Sequence, residues 1–265
     1  TEKSIKKARH LIALYEEALS GFQIESDPPA IDISRIIKEL SALYGREPSL
    51  IINAMGVVGK PNVDWCEDHK QETWYGNVEM AVDLAWIATK MNIPMIHIST
   101  GCIFNDPTGQ MTFSPESEPN FSDSFYSLSK MICEKRLKQL AEQYPEAMIE
   151  IHRIRMPFMG WSDPRNLFNK LIAYDTIVEC PNSMTCLEDY VNFVQDRVSA
   201  ILFKKDIKYG VSIIHAVNKG AITHREIISF MDETMIDVMM PKKFISAEEL
   251  NQLTARKLDL LRGSL

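Results

Sequence analysis

Tyr126 and Lys130 stand four residues apart in Ser124-Phe125-Tyr126-Ser127-Leu128-Ser129-Lys130, downstream of a segment ending Ile98-Ser99-Thr100-Gly101-Cys102. On a helix, positions i and i+4 share a face, so the phenol and the ammonium sit one turn apart. A cation beside a phenol favours phenolate, which suits a tyrosine that passes a proton near neutral pH. Thr100 can donate a second hydrogen bond to the same substrate oxygen. The tetrapeptide spacing alone recurs by chance on solvated helices, so its weight comes from context. Met95-Ile96-His97-Ile98-Ser99 is a short apolar run between turn signals, as a buried parallel strand should be. In open α/β sheets the active site lies at the carboxyl ends of such strands. Together these residues read as a carbonyl reductase site.

The elements that must position this site follow from periodicity. Residues 4–20 carry an amphipathic helix, Phe22-Gln23-Ile24 a short strand before Asp27-Pro28-Pro29, and Ile36 to Tyr44 a second helix stopped by Gly45 and Pro48. Ser49 to Ala54 is a buried strand. A helix from about Glu72 to Met91 feeds the strand at 95–99, and a helix from about Tyr126 to Gln143 carries the Tyr/Lys pair. Ile149 to Arg155 alternates and forms another strand. Strands separated by long helices mean βαβ units and a parallel, Rossmann-like sheet flanked by helices. Beyond Met156 the texture turns to Pro- and Asn-rich loops, followed by helices at 187–204 and 222–233 with a strand 211–215 between them. The expected organisation is a cofactor-binding domain at 1–155 and a smaller substrate-binding cap at 156–265, whose helix near 187–204 returns to the first domain.

Composition excludes several classes. A net charge of −7 argues against broad nucleic-acid binding, which needs a basic face. No apolar run reaches the ~18 residues of a bilayer span, so no membrane partner is expected. The 5 cysteines (66, 102, 133, 180 and 186) form no C-x-x-C pair, which suits reduced thiols in the cytoplasm and gives no hint of a metal.

The segments INAMGVVGKPNVDWCEDHKQET, ISTGCIF, PNFSDSFYSLSK, RIRMP, DPRNLFNK, CPNSMT and HAVNKGAITHREI, in this order, resemble an extended short-chain dehydrogenase/reductase. The branch is that of dTDP-4-dehydrorhamnose reductase, and within it the nucleotide-rhamnose synthases, UDP-4-keto-6-deoxyglucose 3,5-epimerase/4-reductases. The resemblance implies NADPH or NADH as cofactor, a UDP- or dTDP-4-keto-6-deoxyhexose as substrate, and a homodimer built through the helices at 72–91 and 126–143. It makes Thr100, Tyr126 and Lys130 the reductase triad, and Cys102 and Lys170 the acid and base of epimerisation. Asn77 becomes the family's buried asparagine. Ala54, Gly56 and Val57 would line the cofactor, as would Tyr126 and Lys130, with Asp32 and Ile33 toward its adenine. Lys60, Asn62, Cys102, Arg165, Asn166 and Asn182 would meet the substrate.

The implied chemistry is coherent. A C4 ketone acidifies the protons on C3 and C5, so a base removes one and an acid returns it to the opposite face. Thr100 and Tyr126 would stabilise the enolate oxygen and then assist hydride delivery to C4. The bland alternatives are a buried strand-end thiol for Cys102 and a solvated helix residue for Lys170. His97 reads as a satisfied core histidine. Trp65 and Trp74 suit core packing as well as contact with sugar or cofactor. In this family a strand and a G-x-x-G-x-x-G turn should precede the helix at 4–20. Only Thr1 to Ser4 precede it and no glycine occurs before Gly21. The expectation is that roughly 15 residues carrying the first strand are omitted. The functional alternatives are a 4-keto reductase without epimerase activity, and a non-catalytic regulatory or binding relative lacking the cofactor loop.

Overall fold

The computed structural model describes residues 33–60, 62–106, 112–160, 163, 166–203, 206–234, 243–246 and 249. The helix expected at 4–20, the strand at 22–24, Asp32 and Arg165 lie outside the described residues. Two compact units divide at Pro48. In the first, helix α1 covers Ile33–Tyr44, so Ile33 opens a helix that starts three residues earlier than its apolar pattern predicts.

The second unit, 49–265, holds the sheet. Strands β1 (Ile51–Asn53), β2 (Met95–Thr100), β3 (Met148–Ile154) and β7 (Gly210–His215) pair in the order β1-β2-β3-β7, all parallel. The three strands expected at 50–54, 95–99 and 149–154 therefore lie side by side. Ile51 faces Met95, His97 faces Ile151 and Thr100 faces Ile154. This register brings Asn53, Thr100 and Ile154 to one end of the sheet, the carboxyl end where a site is expected.

Between β1 and β2 the chain is helical from Trp65 to Lys90, but in pieces: α2 (Trp65–Asp68), α3 (Lys70–Trp74), a π-turn (Tyr75–Glu79) and α4 (Met80–Lys90). Periodicity predicts one helix from Glu72. The break before it comes at His69, and the π-turn is a common device at functional sites. Helix α5 (Phe125–Gln143) is nearly as expected. Its Tyr126, Lys130, Cys133 and Leu137 form one buried stripe at helical spacing.

The alternation in β3 suggests one wet face, yet both faces are covered. Glu150 and His152 point toward helix α7 (Leu187–Phe203), where His152 Nε2 meets Glu150 Oε1 at 2.6 Å and Arg197 Nη2 meets Glu150 Oε2 at 2.6 Å. Tyr190 Oη lies 3.0 Å from His152 Nδ1. On the opposite face Arg153 Nη2 bonds Glu134 Oε2 of α5 at 2.7 Å. The polar residues of this strand are thus buried ligands of two helices. These bonds fasten α7 to the main sheet, which β7 joins beside β3.

After β3 come shorter elements outside the main sheet: β4 (Pro157–Phe158), α6 (Leu167–Ala173), β5 (Thr176–Val178), β6 (Thr185–Cys186), α8 (His224–Thr234) and β8 (Lys243–Ile245). β4 pairs with β6 and β5 with β8. Met156, Leu171, Ile177, Met184, Ile227 and Ile228 form their core, with Leu167 and Phe168 against it. Among the described residues no helix is long and apolar enough to cross a membrane.

Candidate active site

Thr100 ends β2 and is buried. Its Oγ1 accepts the amide of Cys102 at 3.1 Å, which leaves the hydroxyl proton for an oxygen in the site. Gly101 donates to Ile154 O at 2.8 Å, so the β2 end is locked to β3. Cys102, 6% exposed, packs with Val63, Cys66 and Tyr126, and Val57 and Trp65 lie against this cluster. Helix α5 is aimed at the same place by two devices. Ser124 caps it by accepting from Ser127 N at 3.1 Å, and Glu67 Oε1 accepts the Phe125 amide at 2.7 Å. Ser127 Oγ then donates to Cys102 O at 2.5 Å, tying the helix to the thiol-bearing turn.

Lys130 is buried beneath this turn. Burial pushes its ammonium pKa down, against the pull of Cys133, Glu134, Cys102 and Cys66. The β1–α2 loop runs directly over it. A Cβ on Gly56 would stand 3.1 Å from Lys130 Nζ and 3.2 Å from Asn77 Oδ1, so the backbone passes where a side chain would crowd the ammonium. Gly59, at φ +69, allows the next turn: a Cβ there would meet Trp65 Cβ at 2.6 Å. Asn77 in the π-turn clamps the loop. Its Oδ1 accepts Val57 N at 2.7 Å, and its Nδ2 donates to Val57 O at 3.0 Å and to Ser129 Oγ at 3.1 Å. These three bonds shape the loop at Val57 and tie it to α5. Ala54 and Gly56 are exposed and Val57 is half-buried. Small residues and open backbone at the carboxyl end of a parallel strand, with Lys130 beneath, fit a nicotinamide cofactor.

The remaining residues expected to touch substrate fall into two groups. Lys60 is exposed; Asn62 is half-buried and accepts the Asp64 amide at 2.9 Å. Asn166 is buried and caps α6, donating to Met159 O at 2.9 Å and accepting from Phe168 N at 3.4 Å. Asn182 is buried too, and its Oδ1 accepts from Arg155 Nη2 at 3.0 Å. These two asparagines shape the cap from inside. Lys170 lies on the flank of α6, since Leu167, Phe168 and Leu171 take the core face. It is half-buried, and burial lowers its pKa. Trp65 packs on the Cys102 cluster and stacks on His69 at 3.7 Å, while Trp74 lies under Arg136. His97 is a core histidine, as expected: its Nδ1 is 3.1 Å from Asn53 Nδ2.

Sequence reasoning missed Arg155, Glu67, Ser127 and Ser129. Arg155 Nη1 reaches Cys102 Sγ at 2.7 Å. The signal was present in RIRMP, where an arginine ends a buried strand beside the thiol, but charge at a strand end ordinarily means solvent.

Comparisons with known proteins agree with this geometry. Residues 31–155 match the model of the NAD dependent epimerase/dehydratase family. A bifunctional dTDP-4-dehydrorhamnose 3,5-epimerase/dTDP-4-dehydrorhamnose reductase of Arabidopsis thaliana is 33% identical over 215 residues, 79% of this chain and 67% of that protein. A trifunctional UDP-glucose 4,6-dehydratase/UDP-4-keto-6-deoxy-D-glucose 3,5-epimerase/UDP-4-keto-L-rhamnose-reductase of the same plant is 34% identical over 203 residues; the chain spans only 28% of its length. In fold, the chain is similar to a UDP-rhamnose synthase from Acanthamoeba polyphaga mimivirus, with a TM-score of 0.72 at 24% identity over 97% of this chain and 86% of that one. It is also similar to dTDP-4-dehydrorhamnose reductase from Bacillus anthracis in complex with NADP, with a TM-score of 0.61 at 17% identity over 89% and 81%. With this identity over four fifths of its length and the strand-end, loop and helix residues in order, the chain belongs to the NAD dependent epimerase/dehydratase family, in the branch of the 4-dehydrorhamnose epimerase/reductases.

Proposed function

We propose that the chain is a nucleotide-sugar 3,5-epimerase/4-reductase, converting a UDP- or dTDP-4-keto-6-deoxyhexose to a rhamnose-type sugar nucleotide. The observation that carries this reading is the shared cluster of Cys102 and Tyr126, with the Thr100 hydroxyl anchored to the Cys102 amide. A plain reductase needs the carbonyl-binding pair but has no use for a thiol packed against the tyrosine.

Thr100 and Tyr126 hold the C4 oxygen and stabilise the enolate that forms when a proton leaves C3 or C5. Lys170, its pKa lowered by burial, takes that proton as an amine. Cys102 returns one from the other face. Once both centres are inverted, Tyr126 gives its proton to the C4 oxygen, with the Lys130 ammonium supporting the phenolate that remains. NADPH or NADH, when bound, supplies the hydride to C4. The residues that would hold it are Ala54, Gly56 and Val57 in the loop kept open by Asn77, with Lys130 below.

The substrate side belongs to the elements after residue 156, the cofactor side to those before it. The thiols are reduced, as in a cytoplasmic enzyme, and two copies associate through the helices at 72–91 and 126–143. The exposed Trp86 on α4 supports that association. Sedimentation at micromolar concentration should give twice the chain mass.

The test separates the two half-reactions. Cys102→Ser keeps the shape but makes a far weaker acid, and Lys170→Met removes the base. Both variants should lose solvent-deuterium incorporation at C3 and C5 of the 4-keto sugar, yet still reduce a ketone whose stereochemistry is already set. Wild-type exchange in both would leave a plain reductase.

A further inference from the structure

We infer that Arg155 is the positioning residue for Cys102: its guanidinium fixes the sulfur and holds the negative charge left when the thiol gives its proton to carbon. The inference rests on the epimerase reading above and names a residue which that reading does not include.

The geometry starts from the β2–β3 register. Thr100 pairs with Ile154 and Gly101 donates to Ile154 O at 2.8 Å, so the residues that follow each strand are neighbours. Arg155 is 1% exposed, and its side chain lies within the protein. Nη1 reaches Cys102 Sγ at 2.7 Å and Nη2 reaches Asn182 Oδ1 at 3.0 Å, while its amide donates to Thr185 Oγ1 at 2.9 Å. Asn182 is itself fixed by donating to Cys180 O at 3.3 Å and Cys180 Sγ at 3.0 Å. The turn bearing the sulfur is pinned at its amide by Thr100 and at its carbonyl by Ser127. Arg155 supplies the third anchor, at the sulfur.

An N–H from a guanidinium binds a thiolate more strongly than a thiol, because the bond is then charge-assisted on both sides. A thiol so placed is a stronger acid, which is the property a proton donor to an enolate carbon needs. In the step itself the S–H bond breaks, the enolate electron pair forms the C–H bond, and the thiolate is left beside Arg155. Solvent then reprotonates the sulfur and deprotonates Lys170. The groups facing Cys102 are Cys66 from α2, Tyr126 and Lys130 from α5, and Arg155 after β3, with His224 of α8 near Arg155. Lys130 is the competing cation, but Arg155 is the one bonded to the sulfur.

The experiment uses the full chain without substrate. Far-ultraviolet thiolate absorbance is followed against pH, and the Cys102→Ser curve is subtracted to isolate Cys102. The wild-type curve supplies the reference midpoint for Cys102. Arg155→Met should raise it by about one unit or more, and Arg155→Lys should recover part of that shift. In turnover assays, Arg155→Met should slow deuterium exchange at C3 and C5 at least tenfold more than it slows reduction of a ketone with preset stereochemistry. An unchanged midpoint in a folded Arg155→Met protein overturns the inference. If that variant does not fold, Arg155→Gln takes its place: a midpoint raised by about one unit supports the inference and an unchanged one overturns it. Failure of wild-type protein to exchange deuterium would instead sink the epimerase reading, whatever the midpoint shows.

Discussion

Replacing Glu134 by methionine should cost about 3–5 kcal/mol of stability, the usual cost of stranding a buried charge. Glu134 sits one turn beyond Lys130 on α5, and its carboxylate is almost wholly buried. It accepts Ser99 Oγ at 2.6 Å, Arg153 Nε at 3.2 Å on both oxygens and Arg153 Nη2 at 2.7 Å. Without it, the Arg153 guanidinium keeps Pro115 O at 3.3 Å, His215 Nε2 at 3.2 Å and the Phe104 ring at 5.0 Å. None of these carries a full negative charge. A domain is stable by only about 5–15 kcal/mol, so this is a large fraction. In urea the midpoint should fall by about 1–2 M with little change in slope. Arg153→Met should cost a similar amount, for it strands the carboxylate. The double variant should be more stable than either single one, because two packed methionines leave no charge to desolvate. Additivity of the two single effects within about 0.5 kcal/mol would refute the reasoning.

Four further outcomes follow from the same coordinates. Tyr126→Phe should lower reduction of the C4 ketone by about 10²–10⁴-fold in a steady-state assay without unfolding the protein; a loss under about fivefold would reject Tyr126 as the donor. Gly56→Ala should weaken nicotinamide binding measured by fluorescence titration, since its Cβ would stand 3.1 Å from Lys130 Nζ and 3.2 Å from Asn77 Oδ1. Asn77→Ala removes three hydrogen bonds to Val57 and Ser129 and should raise KM for the cofactor more than it lowers kcat. Acid should destabilise the fold through His97, whose pKa burial pulls down from 6.5 to about 3. The unfolded chain binds that proton first, so this contribution is full above 6.5 and is lost as pH falls toward 3, and His97→Gln should flatten the slope of urea stability against pH in that window.

The sheet was legible because its strands are apolar and its crossovers long: β1, β2 and β3 stand where their runs of Ile and Met place them. The Tyr126/Lys130 pair was legible because a helix imposes its spacing on any two residues four apart. What periodicity cannot carry is a break inside a helix. The π-turn that aims Asn77 at Val57 spans only five residues, too short a change for the apolar period of 72–91 to register. The cap was poorly legible for a related reason. Helix α6 has two short turns, and its core contacts come from distant segments such as Met184 and Ile228. The burial of the polar residues in β3 could not be read because their partners, Glu134, Tyr190 and Arg197, are remote in sequence. The partners of Asn166 and Asn182, Met159 O and Arg155, likewise cannot be read from the two asparagines themselves.

The most direct measurement of the central claim is product analysis of the full chain in deuterium oxide, with UDP- or dTDP-4-keto-6-deoxyglucose and NADPH or NADH. Nuclear magnetic resonance should show a rhamnose-type sugar nucleotide carrying solvent deuterium at C3 and C5 and hydride from the cofactor at C4. A reduced sugar with its original C3 and C5 hydrogens, or return of the 4-keto sugar without exchange, would contradict it.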